Sequence, residues 1–264
     1  MHLIFLNRLK RKFKVLFRNL LEHMNLYSHF PKPQSQFVFV VGCSNSGTTL
    51  LTTILGRNSK VLALGDESYI FGQDKIYMKA SIKQWDIICR QFNKEIFVEK
   101  TPKHIYEIDR IFNFIPNAKI LFIVRNPEDT VASLVTRGVN FSYAVKKYIY
   151  ANNTGLHYAN MNNVYLCRFE ELVKNSKTEI YRICSFLSLE FEESMLSGTD
   201  SVFHIWSQTN QANKNKRSNE VTQKITDTTG SSSHVLSKEQ IKFIEAKTSH
   251  ITEMVNSICN IHQN

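Results

Sequence analysis

The stretch that most constrains this chain is residues 37–51, FVFVVGCSNSGTTLL. Five apolar residues, Phe37 to Val41, run directly into Gly42. A turn of small and polar residues follows, and a second apolar run begins at Leu50. A short apolar run that stops in a Gly/Ser-rich turn reads as a buried parallel strand. Beyond Gly47, the residues Thr48, Thr49, Leu50, Leu51, Ile54 and Leu55 recur at helical spacing. The predicted order is strand, loop, helix. A helix that starts at 47–49 turns its free N–H groups and positive dipole end toward the loop, which makes the loop an anion site. Gly42 and Gly47 let the backbone approach an anion closely, and Ser44, Ser46, Thr48 and Thr49 add hydroxyl donors.

The spacing is that of a phosphate-binding loop, G-x-x-x-x-G-K-[ST]. Gly42, Gly47 and Thr49 fit it, but Thr48 stands in place of the lysine. In enzymes that use ATP or GTP, that lysine reaches the β- and γ-phosphates. Its absence argues against a triphosphate and for a ligand with less charge at that end and no bound Mg²⁺.

The net charge of +10 implies an anionic partner, whether a nucleotide, an acidic polymer or a membrane surface. No zinc finger or aromatic RNA-reading strand is present, so nucleic acid is not the expected partner. The five cysteines are odd in number and scattered without a CxxC pair. Neither a zinc site nor a disulfide framework is indicated, which points to a metal-free protein of a reducing, cytoplasmic compartment. Residues 1–32 stand apart. Leu6, Leu9, Phe13, Leu16 and Leu20 step by three or four, with Arg8, Lys10, Arg11, Lys12, Lys14 and Arg18 filling other positions. This pattern predicts a basic amphipathic helix, too interrupted by charge to span a bilayer and without a cleavage site. Two readings stay open for it: membrane-surface contact through residues 1–24, or packing on the domain or an oligomer partner. Pro31 and Pro33 end it, and residues 33–264 form the main domain.

Along that domain, residues 61–64 (VLAL) precede Gly65, Asp66 and Glu67. An acid directly after a short apolar run is a candidate general base, the alternative being a solvated turn. Tyr69, Phe71, Tyr77 and Trp85 follow, either as stacking groups for a sugar or aromatic acceptor or as core. A strand at 96–98 ends in Glu99, Lys100, Thr101 and Pro102, and in open α/β sheets ligands bind at such strand ends. A helix is predicted over 103–114. The run 119–124 (KILFIV) is the clearest strand, followed by Arg125-Asn126-Pro127 and a helix through Val131, Leu134 and Val135. Arg125 stands where a Walker-type NTPase places a metal-binding Asp. With Ser133, eight residues on, it either converges on one phosphate or sits on an unrelated surface. Further elements are a helix over 141–161, a strand over 163–168, a helix over 169–187 and a long polar segment over 197–235. A capping box, Ser237 with Gln240, opens a last helix running to about Cys259. The pattern predicts an α/β fold of three layers, P-loop-like, with a central parallel sheet flanked by helices.

GCSNSGTTLL, then GDE, VEKTPKH, FIPNAKILFIVRNPEDTVASL and CRFEELVKNS with FLSL, in this order, resemble the sulfotransferases that use 3′-phosphoadenosine 5′-phosphosulfate. The resemblance covers about residues 37–190 and is strongest to the bacterial-type and tyrosylprotein branches. It implies sulfuryl transfer to a hydroxyl of a carbohydrate, lipid or other acceptor, without a metal. It places Asn45, Ser46, Gly47, Thr48 and Thr49 around the donor's 5′-phosphosulfate, and Arg125 and Ser133 on its 3′-phosphate. Lys100 would stabilise charge on the sulfuryl group and Glu67 would be the base, with His104 as runner-up. Phe169 stands where the family often has a Tyr near adenine, and Lys214, Lys216 and Arg217 would close over the donor. Asn45 replaces the Arg usual in related loops, which removes one cation. Two other readings remain: a non-catalytic protein of the same fold, or a nucleotide-dependent kinase.

Overall fold

The computed structural model describes residues 33–196, 202–203 and 229–261. The amphipathic stretch predicted over 1–32 and the basic run Lys214, Lys216 and Arg217 lie outside the described residues. Among the described residues six parallel strands make one sheet: β1 (Gln36–Gly42), β2 (Val61–Leu64), β3 (Ile96–Lys100), β4 (Lys119–Val124), β5 (Val164–Arg168) and the two-residue β6 (Val202–Phe203). Their order is β5-β4-β1-β3-β2-β6. The apolar run read after the first helix is therefore a full strand, paired with β3 and, at its other edge, with β6.

β1 is central, with Val40 opposite Lys100 of β3 and Gly42 opposite Ile123 of β4. Its side chains alternate between faces. Phe37, Phe39 and Val41 enter one layer; Val38 and Val40 enter the other. Both faces are covered, which is why β1 reads as a continuous apolar run. The first layer is closed by α2 (Lys75–Gln91), α3 (Ile108–Phe114), α4 (Pro127–Thr136), α5 (Phe141–Tyr158) and α8 (Lys238–Ile261). The second is closed by α1 (Thr48–Gly56), α6 (Phe169–Lys174) and α7 (Ser176–Leu187). The chain thus leaves β1 toward one layer and β4 toward the other. That divergence opens a crevice between their C-terminal ends, the usual ligand position in such sheets.

Local chemistry sets the boundaries. Asn126 caps α4, its Oδ1 accepting the Asp129 N–H at 3.1 Å, with Pro127 in the first turn. The capping box at α8 is present: Ser237 Oγ accepts from Gln240 N at 3.2 Å and Gln240 Oε1 accepts from Ser237 N at 2.9 Å. Two expected helices differ. The one read over 103–114 begins as a 3-10 segment, Pro102–Glu107, before α3. The one read over 169–187 breaks at Asn175 (φ −119°, ψ 42°), whose side chain donates to Glu171 at 2.9 Å rather than continuing the helix. Among the described residues no helix is long and apolar enough to cross a membrane.

Gly155 of α5 lies against the ring of Phe122 in the middle of β4; a Cβ there would sit 2.4 Å from Cζ. An alanine in a helix gains about 1 kcal/mol over glycine. Overpacking a buried ring costs about 1–3 kcal/mol, and Phe122 is fully buried. A contact as short as 2.4 Å puts the overpacking cost in the upper part of that range, so Gly155→Ala is expected to lower the urea midpoint, with a net loss of about 1–2 kcal/mol. A variant as stable as the parent would show that α5 does not sit this close to the sheet.

Candidate active site

The loop after β1 is shaped by backbone geometry that only some residues tolerate. Gly42 (φ 154°) turns so close to β4 that a Cβ would lie 2.5 Å from the Ile123 carbonyl. Gly47 (φ 101°) caps α1 in the left-handed region, where a Cβ would meet the Phe169 ring at 2.4 Å. Asn45 also has positive φ (71°), which asparagine tolerates better than most residues. Ser46 is fully buried; its hydroxyl donates to the Cys43 carbonyl at 2.7 Å, so this group holds the loop closed. No side chain caps α1. Its first-turn N–H groups therefore face the loop, as an anion site requires. Thr48 is buried and Thr49 half-buried at that helix start. Burial pushes the Cys43 thiol up to about 12, which leaves it unreactive at neutral pH.

Arg125 lies at the end of β4, beside the loop. Its guanidinium stacks over the Phe169 ring at 4.5 Å, and its Nη2 is 3.9 Å from Asp129 Oδ2. Phe169, buried at the start of α6, thus touches both the loop at Gly47 and Arg125. Asn45 Nδ2 donates to the Ser133 carbonyl at 3.4 Å, which ties the loop to α4. The structure therefore brings Asn45, Gly47, Thr48, Arg125, Ser133 and Phe169 into one neighbourhood. Arg125 also borders a cavity of about 360 Å³ whose charged lining is Arg168 together with Glu128, Glu170, Glu245 and Glu253. Four carboxylates make that cavity a poor place for a phosphate.

The second group sits across β1, at the ends of β2 and β3. Lys100 Nζ is buried and 3.3 Å from Glu67 Oε1, whose side chain is 22% exposed. The Tyr69 hydroxyl donates to the other Glu67 oxygen. Of the aromatic residues singled out from sequence, Phe71 and Trp85 are core, whereas Tyr69 and Tyr77 are exposed. An exposed stacked pair, Tyr106 and Tyr150 at 4.9 Å between ring centroids, was not foreseen. Its members are 44 residues apart, and only the packing of the 3-10 segment Pro102–Glu107 on α5 unites them.

Sequence reasoning also passed over Glu99. This carboxylate is fully buried and accepts from Ser68 Oγ at 2.7 Å and Thr101 Oγ1 at 2.5 Å, with His104 Nδ1 at 3.0 Å. Burial pushes its pKa up, but His104 and the hydrogen bonds from Thr101 and Ser68 outweigh burial and hold it below the usual carboxylate range. The sequence reading ends this strand at Val98 and leaves Glu99 among the charges beyond it, whereas β3 runs on through Lys100. His104 is buried in this same network rather than beside Glu67. Among the described residues no group of three or more His, Cys, Asp or Glu could hold a metal.

Residues 74–193 match the model of the sulfotransferase family. That segment holds Lys100, Arg125, Ser133 and Phe169 but begins after the glycine loop and Glu67. No curated protein matches the sequence. Among solved structures, the sulfotransferase domain of the curacin biosynthetic pathway aligns with a TM-score of 0.56 at 15% identity, over 86% of this chain and 99% of that one. The sulfotransferase domain of the Synechococcus PCC 7002 olefin synthase gives 0.55 at 15%, over 83% and 96%. Mouse sulfotransferase SULT7A1, complexed with PAP, gives 0.52 at 13%, over 90% and 92%. At these identities the likeness is one of fold. Residues 74–193 thus match the sulfotransferase family model, and the fold over most of the chain is the one those sulfotransferase structures share.

Proposed function

We propose that the chain is an enzyme that moves a sulfuryl group from 3′-phosphoadenosine 5′-phosphosulfate to a hydroxyl of an acceptor. The observation that carries this reading is the pairing of an uncapped helix start behind the glycine loop with Arg125 held beside it on Phe169. Together they offer two anion-binding points in one crevice, which suits a ligand with a 5′-phosphosulfate and a 3′-phosphate. Thr48 in place of the loop lysine and Arg125 in place of a strand-end acid disfavour a Mg²⁺–triphosphate kinase.

In this reading the 5′-phosphosulfate lies on the loop, against Asn45, Gly47, Thr48 and Thr49, while Ser46 holds the loop's shape from within. The 3′-phosphate lies on Arg125 and Ser133. The acceptor oxygen attacks sulfur, the S–O bond to the donor's phosphate breaks, and Glu67 takes the acceptor's proton. Lys100 stabilises the negative charge on the transferring group. One such preorganised donor is worth roughly 10²–10³ in rate. Lys100 is buried and fixed, so it offsets the cation lost where Asn45 replaces arginine. SULT7A1, which shares the fold, was crystallised with PAP, and this supports the choice of donor.

Carbohydrate is the acceptor class we favour. The exposed ring of Tyr69 beside Glu67, with the open Tyr106–Tyr150 pair, offers flat faces with polar edges rather than a closed apolar pocket.

Arg125→Ala is expected to weaken 3′-phosphoadenosine 5′-phosphate by about 1.5–3 kcal/mol, the scale of a hydrogen bond to a charged group. Adenosine 5′-phosphosulfate, which lacks the 3′-phosphate, should lose much less. Equal losses in calorimetric titrations of the two would remove Arg125 from the 3′-phosphate site. Incubation of the protein with ³⁵S-labelled donor and a panel of oligosaccharides, phenols and sterols should place label on an oligosaccharide. Label confined to phenols or sterols would contradict the assigned acceptor class.

A further inference from the structure

Glu99 and Lys100 are consecutive on β3 and project to opposite faces of the sheet. Each holds one of two consecutive residues in the segment that follows β2. Lys100 holds Glu67 at 3.3 Å, and Glu99 Oε1 holds Ser68, from its hydroxyl at 2.7 Å and its N–H at 3.3 Å. From this juxtaposition we infer that Glu99 is a positioning residue. It fixes the segment 66–69 and so sets the Glu67 carboxylate against Lys100. The inference rests on the proposed role of Glu67 as the base.

The network is continuous. Thr101 Oγ1 donates to Glu99 Oε1 at 2.5 Å and accepts from Ser68 N at 3.0 Å and Tyr69 N at 3.4 Å. Tyr69 therefore receives its backbone from the same carboxylate, one step removed. It needs that support, because its φ of 49° is a left-handed conformation that a residue with a side chain adopts only at a cost. Such strain persists only where the surroundings over-determine it. In this conformation the Tyr69 hydroxyl reaches Glu67. On the other side, Glu99 Oε2 meets His104 Nδ1 at 3.0 Å, which anchors the carboxylate to the 3-10 segment Pro102–Glu107.

Packing alone does not account for an acid here. A strand position closed on both faces is served as well by valine or leucine, and burying a carboxylate is costly unless every oxygen is satisfied. Both Glu99 oxygens are satisfied, and one of them grips the segment that carries Glu67. Glu99 is fully buried, so it does not itself reach an acceptor hydroxyl.

A double-mutant cycle separates positioning from simple structural support. Turnover is read as sulfate release from 3′-phosphoadenosine 5′-phosphosulfate, with water taking the acceptor's place. Binding is read with 3′-phosphoadenosine 5′-phosphate. Glu67→Gln should lower turnover by roughly 10²–10⁴, the scale of general base catalysis. Glu99→Gln should lower kcat by roughly 10–100-fold, as expected for a base displaced by about 1 Å, with product affinity and donor KM within about twofold of the parent. In the Glu67→Gln background the Glu99→Gln change should cost nothing further, because there is no base left to misplace. Ser68→Ala should reproduce part of the kcat loss, and it carries the test if Glu99→Gln does not fold. A Glu99→Gln loss of equal size in both backgrounds, or a parallel loss of product affinity, overturns the positioning role. An unchanged kcat overturns it as well. Normal turnover in Glu67→Gln removes the base assignment itself, and the inference with it.

Discussion

The ring of Phe169 lies between the glycine loop and the guanidinium of Arg125, and the spacing of the proposed donor site follows from that contact. On one side the ring leaves no room for a Cβ at residue 47, so the backbone there must be glycine in a left-handed turn. On the other it supports a nearly buried arginine whose charge would otherwise be left in the protein interior without a flat surface to rest on. Because Phe169 begins α6 directly after β5, the geometry is transmitted through three strand ends: β1 to the loop, β4 to Arg125 and β5 to the ring. Any shift of β4 against β1 or β5 would move one anion-binding point relative to the other.

The second half of the site depends on a different economy of charge. Lys100 and Glu99 are both buried within a single strand end, and each is satisfied by its own partners on its own face, Lys100 by Glu67 and Glu99 by Ser68, Thr101 and His104. A buried ion pair contributes little net stability once desolvation is counted. Its value lies in geometry, since removing one partner leaves an uncompensated charge and the arrangement has few alternatives. The Glu67–Lys100 contact places an acid and a cation side by side at the crevice, and that juxtaposition is what proton removal with charge stabilisation on sulfur requires.

Much of this was legible in the chain because parallel sheets leave strong marks. The runs at 37–41 and 119–124 are apolar without alternation because both their faces are covered, and the turns after them are polar because they face the crevice. Arg125 and the glycine loop were visible for the same reason. What escaped were features set by the folded path of the backbone rather than by residue pattern. Phe71 and Tyr69 look alike in sequence, yet one packs on Phe39 and the other is 44% exposed, because the chain turns sharply at residue 69. Ser46 reads as a free hydroxyl but is spent on the Cys43 carbonyl. Glu99 reads as one more charge at a strand end, and its burial depends on Ser68 arriving from the segment after β2 to join Thr101 and His104 of the turn that follows β3. Local pattern carries periodicity, whereas satisfaction of a buried group is a property of the assembled fold.

The central claim is that the crevice after β1 takes a nucleotide with two separate anionic ends and no metal. Its most direct test is calorimetric titration of the protein with 3′-phosphoadenosine 5′-phosphate and with ATP, each with and without Mg²⁺. The account predicts that 3′-phosphoadenosine 5′-phosphate binds equally well with or without Mg²⁺ and at least about tenfold more tightly than ATP, a difference of about 1.4 kcal/mol or more. Tighter binding of ATP that requires Mg²⁺ would contradict it.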